Sequence, residues 1–139
     1  MANSFMLEII TPYRVFYSDK AENLIINSSD GELGILPGHE PIVTPVGIGI
    51  VKILLDGAWK LASFSDGFLE MEGNKATVLV GAAEWPEEID VERAERSLKR
   101  ASERLADTSM PWEKKRATLA LRRAQTRIKA SSLAKANKD

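Results

Sequence analysis

Cysteine is absent from this sequence of 139 residues, and histidine occurs once, at His39. The lack of cysteine excludes disulfides, thiolate catalysis and cysteine-ligated zinc, and it suits a reducing compartment. A single histidine also excludes catalysis by a pair of histidines. Residues 1–84 show no Ser/His/Asp set, phosphate-binding loop or metal-ligand spacing. We therefore expect a chain that is not an enzyme and requires no cofactor.

Long apolar runs are missing as well. No stretch approaches the roughly 20 consecutive apolar residues of a membrane-spanning helix, and residues 1–4 lack the basic and apolar regions of a signal peptide. Hydrophobic residues make up 44% of the chain and charged residues 28%, which is the composition of an ordinary soluble globular protein. The length suits one domain or two small ones.

Charge is divided unevenly along the chain, although the formal net charge is only −1. Residues 1–84 contain 5 Lys and Arg against 11 Asp and Glu, whereas residues 85–139 contain 14 against 9. The first segment therefore carries −6 and the second +5. This division predicts two segments with different surfaces and different partners.

Residues 1–84 have the pattern of short strands. Phe5, Leu7 and Ile9 alternate with residues that face the other way, and Asp56-Gly57 favours a hairpin turn because a type I′ turn needs φ > 0 twice. Turn residues recur roughly every 8–12 positions, a spacing typical of a sandwich or barrel. We predict no helix before Glu84, and strands at residues 5–11, 14–17, 21–27, 42–55 (interrupted at Pro45, Gly47 and Gly49), 59–65, 68–72 and 75–80.

Residues 31–41 combine three glycines and two prolines with a short apolar run. Glycine allows φ > 0 and proline ends strands, so we predict a short strand containing Leu33, Ile35 and Leu36 between two turns, with His39 directly after the second turn. The pattern of glycine and proline predicts that this segment forms a corner of a β-structure. We expect the surrounding unit to be a scaffold without an active site. Four carboxylates are more simply assigned to a solvated face than to a catalytic site: Glu8, Glu40, Glu70 and Glu72.

The periodicity changes at residues 85–89, which we interpret as a hinge. Pro86 disfavours helix at Trp85, and Asp90 is a good N-cap for the helix that follows. Residues 107–111 interrupt the helical pattern, and Pro111 suits the first turn of a second helix. The spacing therefore predicts an α+β chain: an all-β sandwich or barrel at 1–84, then an antiparallel two-helix hairpin at 90–139 whose polar end, 131–139, is frayed.

Alanine supplies much of the seam that would join the two helices. Burying a methyl group stabilises a fold far less than the ~1.5–3 kcal/mol of a buried Leu or Ile. Two interpretations stay open, a permanently packed hairpin and a hairpin that opens and binds elsewhere. The seam residues are Val91, Ala94, Leu98, Ala101 and Leu105 in the first helix and Ala117, Leu121, Ala124 and Ile128 in the second.

Arginines form a stripe on each predicted helix, at Arg93, Arg96, Arg100 and Arg104 on the first and at Arg116, Arg123 and Arg127 on the second. In a hairpin the two stripes converge on one anion, or they form a solvated face with i,i+4 pairs such as Glu92–Arg96. Nucleic acid is disfavoured as a partner, because the net charge is −1 and no aromatic residues accompany the arginines as stacking platforms.

The sequence at residues 31–41, Gly-Glu-Leu-Gly-Ile-Leu-Pro-Gly-His-Glu-Pro, closely resembles the signature loop of the epsilon subunits of F-type ATP synthases. Residues 64–70 (Phe-Ser-Asp-Gly-Phe-Leu-Glu), 89–94 and 115–121 resemble further segments of that family in the same order. The resemblance extends over nearly the whole chain, from about Leu7 to about Ile128.

This resemblance implies a non-catalytic rotor subunit of the central stalk, peripheral at the cytoplasmic face of the bacterial inner membrane and bound to the membrane only through the complex. The sandwich would dock on the gamma subunit and on the c-ring, with Ser29, Glu32 and His39 near one end, at the ring contact. The folded hairpin would permit turnover. Extended along gamma to the alpha and beta subunits, it would block ATP hydrolysis.

Some bacterial members of the family bind ATP in the folded hairpin through the motif Ile/Leu-Asp-x-x-Arg-Ala and further arginines. Guanidinium groups suit phosphate oxygens, so the resemblance implies ATP as a regulatory ligand. The residues that match are Glu84, Ile89, Asp90, Arg93, Ala94, Arg100, Arg123 and Arg127.

Two other functions are weighed against the rotor subunit. The first is a free-standing ATP-sensing module of the same fold, which co-purification with large alpha and beta chains would exclude. The second is an unrelated small enzyme, which the single histidine and the lack of a nucleophile constellation disfavour.

Overall fold

Two compact units make up the chain, Met1–Glu84 and Trp85–Asp139. The computed structural model describes residues 3–28 and 30–136. In the described part of the first unit the strands are β1 (Phe5–Ile10), β2 (Val15–Ala21), β3 (Asn23–Ser28), β4 (Gly31–Ile35), β5 (Ile42–Val46), β6 (Gly49–Leu55), β7 (Ala58–Phe64), β8 (Gly67–Glu72), β9 (Lys75–Val80) and β10 (Ala83–Glu84).

These strands form the two sheets of a sandwich, which confirms the predicted fold class. The first sheet has the order β2-β1-β9-β8-β5 and the second the order β10-β7-β6-β3-β4. Strand β1 lies beside β9 in the first sheet, and these two strands pair in parallel. The other strand pairs are antiparallel. The parallel pair and the short strand β10 were not predicted.

Alternating side chains fill the space between the sheets. Phe5, Leu7 and Ile9 on β1 are buried, as the alternation predicted, and residues of the other strands are buried in the same way. Phe16 of the first sheet meets Phe64 of the second edge to face, with 6.1 Å between the ring centroids. This geometry is the one that aromatic quadrupoles favour, and it ties the two sheets together at one side of the core.

The turns form where glycine, asparagine or aspartate adopts left-handed backbone. Asp56 and Gly57 have φ of 53° and 74°, so the predicted hairpin turn between β6 and β7 is confirmed. The predicted strand of residues 42–55 is divided into β5 and β6, as its proline and glycines indicated. Leu36, which was expected in the strand of the Gly/Pro segment, lies just beyond the end of β4.

The second unit begins with a short 3₁₀ helix, Pro86–Glu88, inside the segment interpreted as a hinge. Helix α1 spans Val91–Asp107, and the carboxylate of Asp90 caps it by accepting the backbone N–H of Arg93 at 3.1 Å. Helix α2 spans Pro111–Ala136. The prediction that residues 131–139 are frayed is wrong as far as Ala136, because Ser131 is buried and the helix continues; residues 137–139 lie outside the described part.

The helical hairpin is joined by small side chains. Ala94 and Ala101 on α1 are buried, as are Ala117 and Ala124 on α2. Each pair is seven residues apart, the spacing of a seam between two helices. The larger seam residues, among them Leu98, stay partly exposed. The thin seam expected from the sequence is therefore present in the folded hairpin.

We predict that Phe64→Ala lowers the free energy of unfolding by about 3–5 kcal/mol, because it removes a fully buried ring and leaves a cavity against Phe16. Urea denaturation followed by circular dichroism measures the change. The same substitution at Phe68, which is 61% exposed, is the matched control and should cost about 0.5 kcal/mol or less. Equal losses for the two variants would contradict this description of the core.

Candidate functional site

Arginines on α1 lie on one exposed stripe. An α-helix turns by about 100° per residue, so Arg93, Arg100 and Arg104 fall within about 40° of one another. Their side chains are exposed, and the guanidinium of Arg100 donates a hydrogen bond to the hydroxyl of Ser97 at 3.2 Å. The stripe is rotated by about 100° from the buried Ala94 and Ala101, so it runs beside the seam of the hairpin.

A second stripe occupies the corresponding position on α2. Arg116, Arg123 and Arg127 fall within about 40° of one another, again about 100° before the buried alanine Ala124. When two antiparallel helices pack through facing seams, stripes with the same offset lie on the same side of the pair. The six arginines of the two stripes therefore share one face of the hairpin, which we call the arginine face.

The other members of the predicted nucleotide motif serve the start of α1. Asp90 is the N-cap, Ile89 is buried where the 3₁₀ helix ends, and Ala94 is buried in the seam. These positions bring the backbone of Arg93 to the first turn of α1, at the positive end of the helix dipole. Residues of the motif therefore form the start of α1, and the motif also contributes Arg93 to the arginine face.

Glu84 belongs to the other unit. It ends β10, where it pairs with Ser63 of β7, and it is half-buried. Arg14 supports the same short strand, because its guanidinium donates to the carbonyl oxygen of Ala83 at 3.2 Å.

A cavity of about 250 Å³ lies at the loop end of the hairpin, lined by Arg104, Trp112, Glu113 and Arg116. Thr108 donates a hydrogen bond to the carboxylate of Glu113 and so helps to close the loop. Trp112 is 56% exposed. The statement that no aromatic residues accompany the arginines is therefore wrong, because Trp112 lines this cavity together with Arg104 and Arg116.

Residues predicted at the c-ring contact do not lie together. Glu32 is exposed near the start of β4, whereas His39 lies four residues past the end of that strand. The His39 ring donates from Nδ1 to the carbonyl oxygen of Glu40 at 2.7 Å. The expectation that His39 lies at the same end as Glu32 is wrong, because extended β4 separates them. Ser29 lies outside the described residues.

An exposed apolar row crosses the outer face of the first sheet. The strand register places Ile10 beside both Val15 and Leu79, Leu79 beside Phe68, and Phe68 beside Pro45. Val15, Leu79 and Phe68 are each more than half exposed. Outer faces of antiparallel sheets are normally polar, and a contiguous apolar patch marks a contact surface. We call these five residues the apolar row.

Sequence reasoning missed the apolar row because its residues come from five different strands. Within each strand they only continue the alternation, and their adjacency depends on the pairing register.

The described residues contain no group of three or more His, Asp or Glu side chains placed to hold a metal ion. Neither helix among them has the length and apolar content needed to span a bilayer.

Comparison with known families divides the chain within two residues of the boundary between its two units. The family described as "ATP synthase, Delta/Epsilon chain, beta-sandwich domain" matches residues 4–86. The family described as "ATP synthase, Delta/Epsilon chain, long alpha-helix domain" matches residues 87–132.

Relatives are similar along nearly the whole chain. An ATP synthase epsilon chain of Caldicellulosiruptor bescii is 46% identical over 135 residues, which cover 97% of this chain and 96% of the relative. A chloroplastic ATP synthase epsilon chain of Pyropia yezoensis is 38% identical over 128 residues, covering 92% and 96%.

Solved structures share the fold at low identity. A chain in the Euglena gracilis mitochondrial ATP synthase (OSCP/F1/c-ring) matches with a TM-score of 0.79 at 20% identity, covering 91% of this chain and 80% of that one. A chain in the Tetrahymena thermophila mitochondrial ATP synthase (central stalk/c-ring) matches with a TM-score of 0.68 at 14% identity, covering 91% and 95%. Since both family profiles and the relatives cover nearly the whole chain, it belongs to the delta/epsilon chain family of ATP synthase subunits.

Proposed function

We propose that this chain is a non-catalytic subunit of the central stalk of a rotary F-type ATP synthase, where it couples the catalytic head to the c-ring. Its sandwich docks on the gamma subunit and meets the c-ring. Its helical hairpin inhibits ATP hydrolysis at the alpha and beta subunits, and ATP bound to the hairpin relieves this inhibition. The complex holds the chain at the cytoplasmic face of a bacterial inner membrane.

The apolar row is the observation that carries the docking proposal. Five strands contribute to it, so it is a continuous surface that crosses the whole first sheet. Val43 is 71% exposed and extends it along β5. Burying such a surface against a partner is favourable at roughly 25 cal/mol for each Å² of apolar area. Family membership makes the gamma subunit the partner that fits this face.

The exposed start of β4 suits the contact with the c-ring. Glu32 stands next to the turn between β3 and β4, and the Ser28 hydroxyl closes that turn by donating to the carbonyl oxygen of Gly31 at 2.9 Å. An exposed carboxylate at this end of β4 presents a charge to the polar loop of a neighbouring subunit. His39 does not join this contact, because it lies at the other end of β4.

The thin seam supports a hairpin that changes its partner. Its buried residues are mainly alanine, and each buried methyl group contributes about 0.8 kcal/mol, well below a buried leucine. The arginine face adds positive charge that acidic surfaces of the catalytic subunits attract. A conformational equilibrium with a small free-energy difference is what a ligand or a partner can shift.

The arginine face also supports the ATP proposal. Arg93 lies near the open end of the hairpin, the end to which α2 carries Arg123 and Arg127, and Arg100 lies about two turns further along α1. Guanidinium groups bind phosphate oxygens through paired donors. ATP held across both helices would favour the folded hairpin over the extended one.

We predict that Phe68→Glu weakens binding to the gamma subunit of the same enzyme by about 30-fold or more, because it places a charge within the apolar row, between Leu79 and Pro45. Calorimetric titration of gamma with the full-length chain measures the dissociation constant. Trp59→Glu is the matched control, since Trp59 is also an exposed aromatic residue but lies on the second sheet. Equal affinities for Phe68→Glu and the parent would contradict docking through this face.

We predict that the parent chain binds ATP and that the double variant Arg93→Ala, Arg127→Ala does not, because the variant removes one guanidinium from each helix. Calorimetric titration with ATP, and with ADP for comparison, measures binding. The double variant Lys99→Ala, Arg122→Ala loses the same charge at exposed positions about 100° or more away from the stripes, and it should bind like the parent. The absence of heat from the parent chain at millimolar ATP would contradict the nucleotide site.

A further inference from the structure

The chain passes from the second sheet to the first through residues 36–41, which we call the crossover segment. Leu36, Pro37, Gly38 and His39 form a turn in which the His39 N–H donates to the Leu36 carbonyl oxygen at 3.1 Å. Proline precedes Gly38, whose φ is 79°, and this is the arrangement of a type II turn. The turn does not use the Gly38 N–H, which needs another acceptor.

Asn74 supplies that acceptor from a distant part of the sequence. Its Oδ1 accepts the Gly38 N–H at 2.9 Å, across 36 positions of the chain. Its Nδ2 donates to the carbonyl oxygen of Ser4 at 3.0 Å, and its own carbonyl oxygen accepts the Met6 N–H at 3.1 Å. One residue therefore connects the crossover segment, the segment that enters β1, and the turn between β8 and β9.

The backbone of Asn74 explains why this residue type occupies the position. Its φ is 59°, in the left-handed region that asparagine tolerates better than most residues. Glycine would satisfy the backbone equally well but has no side chain to reach Gly38. Asparagine combines the permitted backbone with both an acceptor and a donor.

We propose that the Asn74 side chain is the positioning group for the crossover segment. Through the Gly38 amide it holds residues 36–41, which carry His39 and lead directly into β5. The crossover segment thereby enters β5 in the register that brings Pro45 beside Phe68. Asn74 acts from the far end of the first sheet, without itself belonging to the apolar row.

Two substitutions at Asn74 distinguish its two side-chain hydrogen bonds. Asn74→Gly keeps the turn and removes both bonds. Asn74→Asp keeps the oxygen that accepts from the Gly38 N–H and removes the group that donates to the Ser4 carbonyl oxygen. Hydrogen exchange of the isolated full-length chain, followed by NMR, reports the protection of the Gly38 amide. Because this test uses no partner, its outcome is independent of the proposed docking on gamma.

We predict that Asn74→Gly lowers protection of the Gly38 amide on the order of tenfold and shifts the His39 resonances, while Asn74→Asp retains most of the protection. Amides of β6 should exchange as in the parent for both variants, which distinguishes a local release from a loss of global stability. Asp56→Gly is the matched control, because Asp56 is the other non-glycine residue with positive φ in the described part of the chain; it should leave the protection of Gly38 unchanged.

Unchanged protection of Gly38 in Asn74→Gly would overturn the proposal. So would an equal loss in Asn74→Asp, since the acceptor oxygen is retained there.

Discussion

Large apolar side chains packed between two β-sheets are the constraint on which the other features of this protein depend. Phe5, Leu7, Leu24, Ile53 and Leu69 are fully buried, and each contributes roughly 1.5–3 kcal/mol. The helical hairpin is joined instead by alanines, each of which contributes far less. The core of the first unit is therefore built from large apolar side chains, and the seam of the second unit from small ones.

The surfaces proposed for contact on the two units differ in their chemistry. The apolar row lies opposite the core on the first sheet, and its shape follows from the strand register rather than from any loop. The arginine face has the opposite character: it is charged, and it is held by helices whose packing is weak. The proposed exchange of a nucleotide for an acidic protein surface requires only a small free-energy difference between the two states of the hairpin.

The sequence predicted those features that depend on local chemistry. Alternation marked β1, left-handed turn residues marked the β6–β7 hairpin, and Asp90 marked the start of α1. Prediction from the sequence failed for features that depend on the pairing of strands distant in the chain. The parallel pairing of β1 with β9, the apolar row, and the position of His39 all depend on register or on the path of the chain. Strand β10 has only two residues and therefore no detectable periodicity. Trp112 lines a cavity with Arg104 because the loop brings the ends of the two helices together.

The most direct test of the account is the rate of ATP hydrolysis by the ATP synthase assembled with this chain or with a form that ends at Glu84. Gel filtration first establishes that both forms remain in the complex, as expected because the proposed docking face belongs to the sandwich. The account predicts faster hydrolysis with the shorter form, because the inhibitory helices are gone while the stalk is intact. Equal rates in the two assembled complexes would contradict an inhibitory role for the hairpin.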